Sequence, residues 1–595
     1  MWWLGAHAAS MEAFYVLATD CGTIFDPNCT YELVTKLQAD LALQAVTGTR
    51  RIMSSAMQGD SFAEMCTSPI DFMLRMLQTF EFEIDHVTFK SLDDALGAMQ
   101  VIPGPCGLYR FSSLGNLRSG LMHQYFSMLS RKTRGLIVGN VELVEDRIPG
   151  ALLSFPLKGS KEPTCKPRTG WARTGFAQDA IFYVEAEIPL EMLCKQRRRW
   201  LNGTFMTYFW ILQEGIITNA NQAFFRRYAT WCLTILYVIQ AATIRLVGPA
   251  LLIAVAIRFG LMAPDLVDDP ALFFDPEHEF DALDTTRDRA AIIIGGTYYI
   301  LFCLFVIFHT PRAVAIKDNS ILRYTEAKKF RSDKSSVYHA ALMHLSIIVN
   351  AIVFLIFCFN TVGILYISGW EGSPTPVKIM VILAVGPFAF AFFEGVSRCN
   401  LKGFISLLVS APFALPLMPW FTVWLPIYAT TRLPDLTWGN RDSAGSDHSE
   451  KAERRAKIGR MVATLLVIGN TLVATIITLN FQMFVIVMIG YTFVLSSTFL
   501  LSILAFLTKP FRGCASDVQE EACGSLQDED EPISTYHDLM DPTKQVAVAS
   551  VPTYAPPRKS SHKKEDSSGD STESDDGASA TAEDSEKAGE LAPIT

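Results

Sequence analysis

The sequence predicts an α/β domain joined to a multi-helix membrane bundle, with a disordered acidic tail behind it. Three observations predict this. Long apolar runs crowd between about residue 228 and residue 508. The two hundred residues before them alternate short apolar runs with segments of helical spacing. From Pro510 onward, nineteen Asp and Glu stand against seven Lys and Arg. The chain total is −9, so the body is weakly positive and the tail carries the acid. No basic stripe points to nucleic acid. The expected division is 1–200, 201–508 and 509–595.

Residues 11–200 give the α/β pattern. "EAFYVLATDCGTIFD" is a short apolar run ending in Asp, Cys and Gly, as a buried strand ending at a loop does. "NCTYELVTKLQADLALQAV" follows with Leu33, Leu37, Leu41 and Ala45 at helical spacing. "GAMQVIPGPCGLYRF" is a strand-like run broken by Gly and Pro, and "RGLIVGNVELVEDRI" is a strand-like run leading into an acidic turn. Alternation of this kind predicts a mostly parallel sheet with active groups at strand ends.

Charge orders the membrane part. The loop 263–289 is acidic and the loop 311–338 is basic, which puts the basic one in the cytoplasm. Residues 228–262 then cross once, after an interfacial stretch. Segments 290–310, 340–366 and 377–396 cross next. The stretch 403–430 holds four prolines, and a single crossing there would put the basic "EKAERRAKIGR" outside, so it reads as re-entrant or interfacial. Two more helices, about 459–480 and 482–507, bring the count to six crossings, with both ends cytoplasmic. The tail is too polar to fold and is open to phosphorylation. The twelve cysteines are scattered singly and read as reduced. The start, "MWWLGAHAAS", does not read as a signal peptide.

Three groups of residues suit chemistry. Asp20, at a strand end, can hold a divalent cation against a diphosphate, although alone it fits an ordinary turn or N-cap aspartate as well. Glu145 and Asp146, with Arg147 beside them, offer a carboxylate that could take a proton from an attacking hydroxyl; helix N-terminal acidity would place acids there too. "QRRRWLNG" (196–203) is more specific. Arginine forks suit phosphate oxygens, and a Trp face stacks a sugar. A plain membrane anchor explains the arginines but not Gln196. A metal-type Asp, an acidic pair and then Gln-x-x-Arg-Trp before a membrane bundle is the arrangement of a processive, inverting glycosyltransferase.

"VEDRI" and "QRRRWLNG" resemble the matching motifs of chitin synthases. "SLDDALGAMQVIPGPCGLYRF" and "SGLMHQYF" are similar to stretches between them, and "PDLTWGNR" (434–441) resembles the family's Ser-Trp-Gly-Thr-Lys motif, with Asn440 and Arg441 in place of Thr and Lys. The resemblance runs from about residue 11 to about residue 460. Hyaluronan and cellulose synthases share the looser Gln-x-x-Arg-Trp pattern.

The resemblance implies a GT-A type, family 2 domain over 1–200, interfacial and membrane helices over 201–508 with a cytosolic Trp-Gly loop at 431–458, and a plasma-membrane enzyme. It would transfer N-acetylglucosamine from UDP-N-acetylglucosamine to a growing β-1,4 chain and extrude that chain. Asp20 would bind Mg²⁺ or Mn²⁺, and Asp146 would be the base, with Glu145 in reserve. Gln196, Arg198, Arg199, Trp200, Arg147 and Trp438 would frame the acceptor and the diphosphate, and "VTGTRR" (46–51) would pass beneath the sugar. Implied partners are the UDP-sugar, the nascent chitin chain, membrane lipids and a second copy in a homodimer. The family has several strands and helices before its metal-binding Asp to hold uridine, whereas nineteen residues precede Asp20. The expectation is an N-terminally incomplete domain that binds UDP-sugar poorly by itself. The other classes to weigh are a non-catalytic membrane partner derived from such an enzyme and a transporter.

Overall fold

A computed structural model describes residues 15–40, 42–54, 57, 68–99, 101–114, 121–122, 125, 136–154, 173–213, 224–262, 286–310, 335–397, 401–436 and 449–507. The acidic tail, the loops 263–285 and 311–334, and Trp438 with Asn440 and Arg441 lie outside the described residues.

Strand β1 (Tyr15–Ala18) runs into a turn that Asp20 opens. The Thr23 N–H donates to the Asp20 carbonyl at 3.4 Å, and Gly22 has φ 84°, which a type II turn requires at its third residue. After β2 (Ile24–Phe25), helix α1 (Cys29–Ala39) buries Leu33 and Leu37, as the spacing predicts. The helix does not continue through Leu41 to Ala45. It stops at Ala39, Asp40 turns extended, and Ala45 lies inside strand β3 (Leu43–Ile52). The Asp40 carboxylate accepts the Ala42 N–H at 2.9 Å, which fixes the break. Strand β3 then finds partners on both edges, and tertiary pairing outweighs the local helical spacing.

With β4 (Gly107–Arg110) and β5 (Arg173–Val184) the sheet has the order β1-β4-β3-β5-β2. Among the described strands β3 and β5 pair in parallel, while β1–β4, β3–β4 and β2–β5 are antiparallel. The expected mostly parallel sheet is therefore corrected to a mixed one. Alternation along the chain fixes spacing and leaves strand direction to the connections.

The β3–β5 register shifts between Gly48 and Thr49, where a Cβ on Gly48 would lie 2.1 Å from the Ala180 carbonyl oxygen. That oxygen is backbone, so the two strands would have to part. Gly48→Ala is expected to destabilise by about 3 kcal/mol, the upper end of overpacking costs. A lowered unfolding midpoint in detergent and a smaller monodisperse fraction would register it.

Helix α2 (Pro69–Asp85) starts with Pro in its first turn and Ser68 as cap, the hydroxyl accepting the Asp71 N–H at 3.2 Å. One π-helical turn, His86–Lys90, leads into α3 (Ser91–Leu96). Then come α4 (Phe111–Leu114), α5 (Leu136–Glu142), α6 (Arg147–Ser154) and α7 (Leu190–Gln213). The run before Glu145, expected as strand-like, is thus helix α5. It buries Gly139, Asn140 and Val141, and the Asn140 amide donates to the Leu433 carbonyl at 3.0 Å.

The bundle contains α8 (Phe224–Leu246), α9 (Gly248–Met262), α10 (Thr286–His309), α11 (Ser335–Gly372), α12 (Thr375–Ser397), α13 (Lys402–Ala414), α14 (Leu425–Thr431), α15 (Ser449–Leu479) and α16 (Phe481–Leu507). Among the described residues, six helical stretches are long and apolar enough to cross a membrane: 228–246, 289–309, 338–372, 375–397, 457–479 and 481–507. In the stretch 228–262 the long helix comes first and the short one second, the reverse of the expected interfacial segment followed by a crossing. Gly248 and Pro249 restart the helix there, because proline suits a first turn. The proline-rich stretch is a pair of helices, Lys402–Leu417 and Trp420–Thr431, bent by 66°.

This bent pair is what the α/β domain sits against. Phe413 meets Phe72 of α2 edge to face at 4.9 Å, and the Asn202 amide of α7 donates to the Ala429 carbonyl at 2.6 Å. Farther round, Ser502 at the end of α16 donates to the Thr88 carbonyl at 2.5 Å, and Tyr237 of α8 donates to Asp93 of α3 at 3.0 Å.

Candidate active site

Asp20 and Asp146 meet across one glycine. The Gly104 N–H donates to Asp146 Oδ2 at 3.4 Å. A Cβ on Gly104 would lie 3.1 and 3.3 Å from the two carboxylate oxygens of Asp20. Residues 20 and 146 are far apart in sequence, and the loop before β4 brings them to one place.

Glu145 and Asp146 lie in the turn between α5 and α6, directly before the first residue of α6. The acidic pair is thus at a helix N-terminus, and it also faces the Asp20 side. Burial pushes the Glu145 carboxyl up to about 7, and the neighbouring charges of Asp146 and Asp20 push the same way, while a backbone hydrogen bond and Arg199 oppose them. Two phenols face the same acids: burial, then Asp146, raises Tyr109, and burial, then Glu145, raises Tyr125.

Helix α7 distributes "QRRRW" by its 100° step per residue. Arg197 is 2% exposed. It donates to Glu81 Oε2 at 2.6 Å, and its guanidinium lies 4.2 Å from the centre of the Trp200 ring. Arg198, also buried, donates to the Asp435 carbonyl at 2.7 Å and pairs with the Asp435 carboxylate. That contact anchors α7 to the segment leading towards Trp438. Arg199 is the arginine whose charge bears on Glu145, Asp146 and Glu187. Gln196 donates its amide to Glu187 Oε1 at 2.7 Å. Trp200 is half-buried, with Arg50 as a second cation 5.1 Å from its ring. Arg147 opens α6, and its Nε is buried without a hydrogen-bond partner among the described residues.

The stretch 46–51 runs along β3, with His86 and Lys90 packed beside it. His86 accepts the Arg50 N–H at 3.1 Å and stacks on Phe176, and Lys90 reaches the Gly48 carbonyl at 3.5 Å. Burial pulls Lys90 down to about 8.

Sequence reading missed Arg197, Glu81, Glu187 and Asp435. Arg197 stands unremarked in the arginine run, Glu81 and Glu187 bear no motif, and Asp435 lies in "PDLTWGNR" without a role of its own there. Only the helix period could have separated the arginines.

One or two carboxylates plus phosphate oxygens form a donor set that magnesium accepts. Asp20 fits that pattern as the one carboxylate, and no group of three His, Cys, Asp or Glu among the described residues forms a fuller cage.

Residues 1–214 match the family model of a chitin synthase-like glycosyltransferase domain. The N-terminal part of this chain is a chitin synthase-like glycosyltransferase domain. The chain is similar to chitin synthase 1 of Phytophthora sojae, 27% identical over 232 residues, covering 38% of this chain and 23% of that one. Chitin synthase 2 of Candida albicans is 25% identical over 234 residues, covering 36% and 21%. Chitin synthase A of Ampelomyces quisqualis is 29% identical over 157 residues, covering 25% and 16%. Each match thus spans less than a quarter of the relative's length. The chitin synthase-like domain takes in the five strands, Asp20, the acidic pair and α7, and the six membrane-type helices follow it.

Proposed function

We propose that the chain is a chitin synthase that joins N-acetylglucosamine from UDP-N-acetylglucosamine to a β-1,4 chain and passes the chain through the membrane. The observation that carries this reading is the meeting of Asp20 and Asp146 at Gly104, with the charge of Arg199 of the Gln-x-x-Arg-Trp helix bearing on Glu145 and Asp146. The acceptor's 4-hydroxyl oxygen attacks C1 of the donor sugar, and the C1–phosphate oxygen bond breaks with its electron pair leaving on UDP. Asp146 takes the hydroxyl proton. Arg199 sets a positive charge beside the acids, and Trp200 borders the acceptor. A magnesium or manganese ion held by Asp20 would offset the diphosphate charge and leave the Asp146 carboxylate to act as base. Basic residues in 311–338 favour a cytoplasmic position for that loop and for the catalytic domain, and the plasma membrane suits an extruded polymer.

The test is UDP release from UDP-N-acetylglucosamine by membranes carrying the protein, with formation of an insoluble polymer that chitinase digests. The runner-up is a non-catalytic membrane partner, and absence of both products in membranes where the protein is folded favours it.

The raised carboxyl of Glu145 gives a pH prediction. A protonated Glu145 removes a negative charge that Arg199 would otherwise balance, so turnover falls as pH drops through the Glu145 pKa. In the wild type the acid limb lies above the ordinary carboxylate range, towards 7. In Glu145→Gln, which is uncharged at every pH, that limb is absent. A pH profile of UDP release between 5 and 9 measures both; identical limbs would refute it.

A further inference from the structure

Gln196, Arg199 and Trp200 stand at i, i+3 and i+4 on α7, so they share one face of the helix. Arg199 bears on the acids of the candidate site. The Gln196 amide on that face has a fixed orientation. A carboxylate accepts and cannot donate, so the Glu187 contact at 2.7 Å must be made by the amide nitrogen. The amide oxygen, Oε1, is buried with no hydrogen-bond partner among the described residues.

Glu187 is held in turn. Its N–H donates to Gln78 Oε1 at 3.0 Å, and Gln78 Nε2 donates to the Glu187 carbonyl at 3.2 Å and to the Leu74 carbonyl at 3.1 Å. Gln78 is 1% exposed on α2. The bonds run from α2 through the residue between β5 and α7 to the amide of Gln196. Burial raises the Glu187 carboxyl, while Arg197, Arg199 and the Gln196 amide favour its ionised form.

We propose that Glu187 is a positioning residue that fixes Gln196 as a hydrogen-bond acceptor, so that this face of α7 takes an O–H or N–H donor of the acceptor saccharide. The proposal rests on the glycosyl-transfer reading and deepens it. An amide free to flip could present either its oxygen or its nitrogen at this point; with its nitrogen held on a carboxylate, Gln196 presents Oε1, which takes a donor.

The test is binding of a fluorescent β-1,4 N-acetylglucosamine tetrasaccharide to the purified full chain in detergent. Glu187→Ala is expected to weaken binding by about tenfold, the worth of one hydrogen bond to a fixed acceptor. Glu187→Gln keeps the shape but can pair with Gln196 in either sense, because its amide donates as well as accepts, and is expected to weaken binding by an intermediate factor of about threefold. Gln196→Met weakens binding about as much as Glu187→Ala, and the double variant is no weaker than Gln196→Met, because both changes act on one bond. Where Glu187→Ala does not fold, Glu187→Met replaces it. Cellotetraose as a second ligand separates the donors: an equal loss for both sugars assigns a ring hydroxyl, and a loss confined to the acetylated sugar assigns the acetamido N–H. Equal weakening by Ala and Gln at 187, independent losses in the double variant, or an unmoved Glu187→Ala would overturn the positioning role. A wild type that binds no tetrasaccharide overturns the saccharide reading of the cleft as a whole, and the positioning proposal with it.

Discussion

Asp146→Asn is expected to lower UDP release by about 10²–10⁴-fold, the usual worth of a positioned base. The amide keeps the shape of the carboxylate, and its oxygen still accepts the Gly104 N–H, so the site should stay assembled while losing the group that takes the proton. The comparison that interprets the result is Glu145→Gln. At pH 8 wild-type Glu145 is ionised, since its carboxyl titrates near 7, and its loss removes a charge without removing the base. A modest effect there with a large one at Asp146 assigns the base to Asp146. The opposite pattern assigns it to Glu145. Full activity in both variants would remove the acid pair from the chemistry.

Arg197→Met is expected to destabilise the protein by about 3 kcal/mol, the low end for breaking a buried ion pair. The low end applies because Glu81 keeps 27% of its side-chain surface in contact with solvent. The variant removes the ion-pair partner of the Glu81 carboxylate, which burial already disfavours, leaving Arg50 as its nearby positive charge, and it takes the guanidinium from the Trp200 ring. Replacing both partners, Glu81→Leu with Arg197→Met, should recover much of the loss, because the cost comes from the uncompensated charge. Unfolding midpoints of the single and double variants measure it. A double variant no better than Arg197→Met would mean that the guanidinium matters through Trp200 and Phe82 rather than through Glu81.

The legible part of this chain followed local rules. Asp20 could be placed at a strand end because a short apolar run stops at a glycine turn, and Gly22 indeed takes a positive φ there. Leu33 and Leu37 are buried at the spacing that announced them. The six long apolar helices were readable because a bilayer imposes a length of about twenty residues on any spanning helix. Ala45 and the run 136–142 were misread, one as helix and one as strand-like. In both places a short apolar run carries no period strong enough to choose, and distant partners choose instead: β4 and β5 for Ala45, the Leu433 carbonyl for Asn140.

The sequence by itself determined the order of parts, an α/β half before a membrane half, and the spacing that puts Gln196, Arg199 and Trp200 on one helical face. The tertiary structure alone decided which of three adjacent arginines meets Glu81, which meets Asp435 and which faces the acidic pair. It also decided that Glu145 titrates near 7. The reason is the range of the forces. Hydropathy and helix period act over a few residues and are written along the chain, whereas burial and charge pairing depend on partners that come near only when the chain is folded.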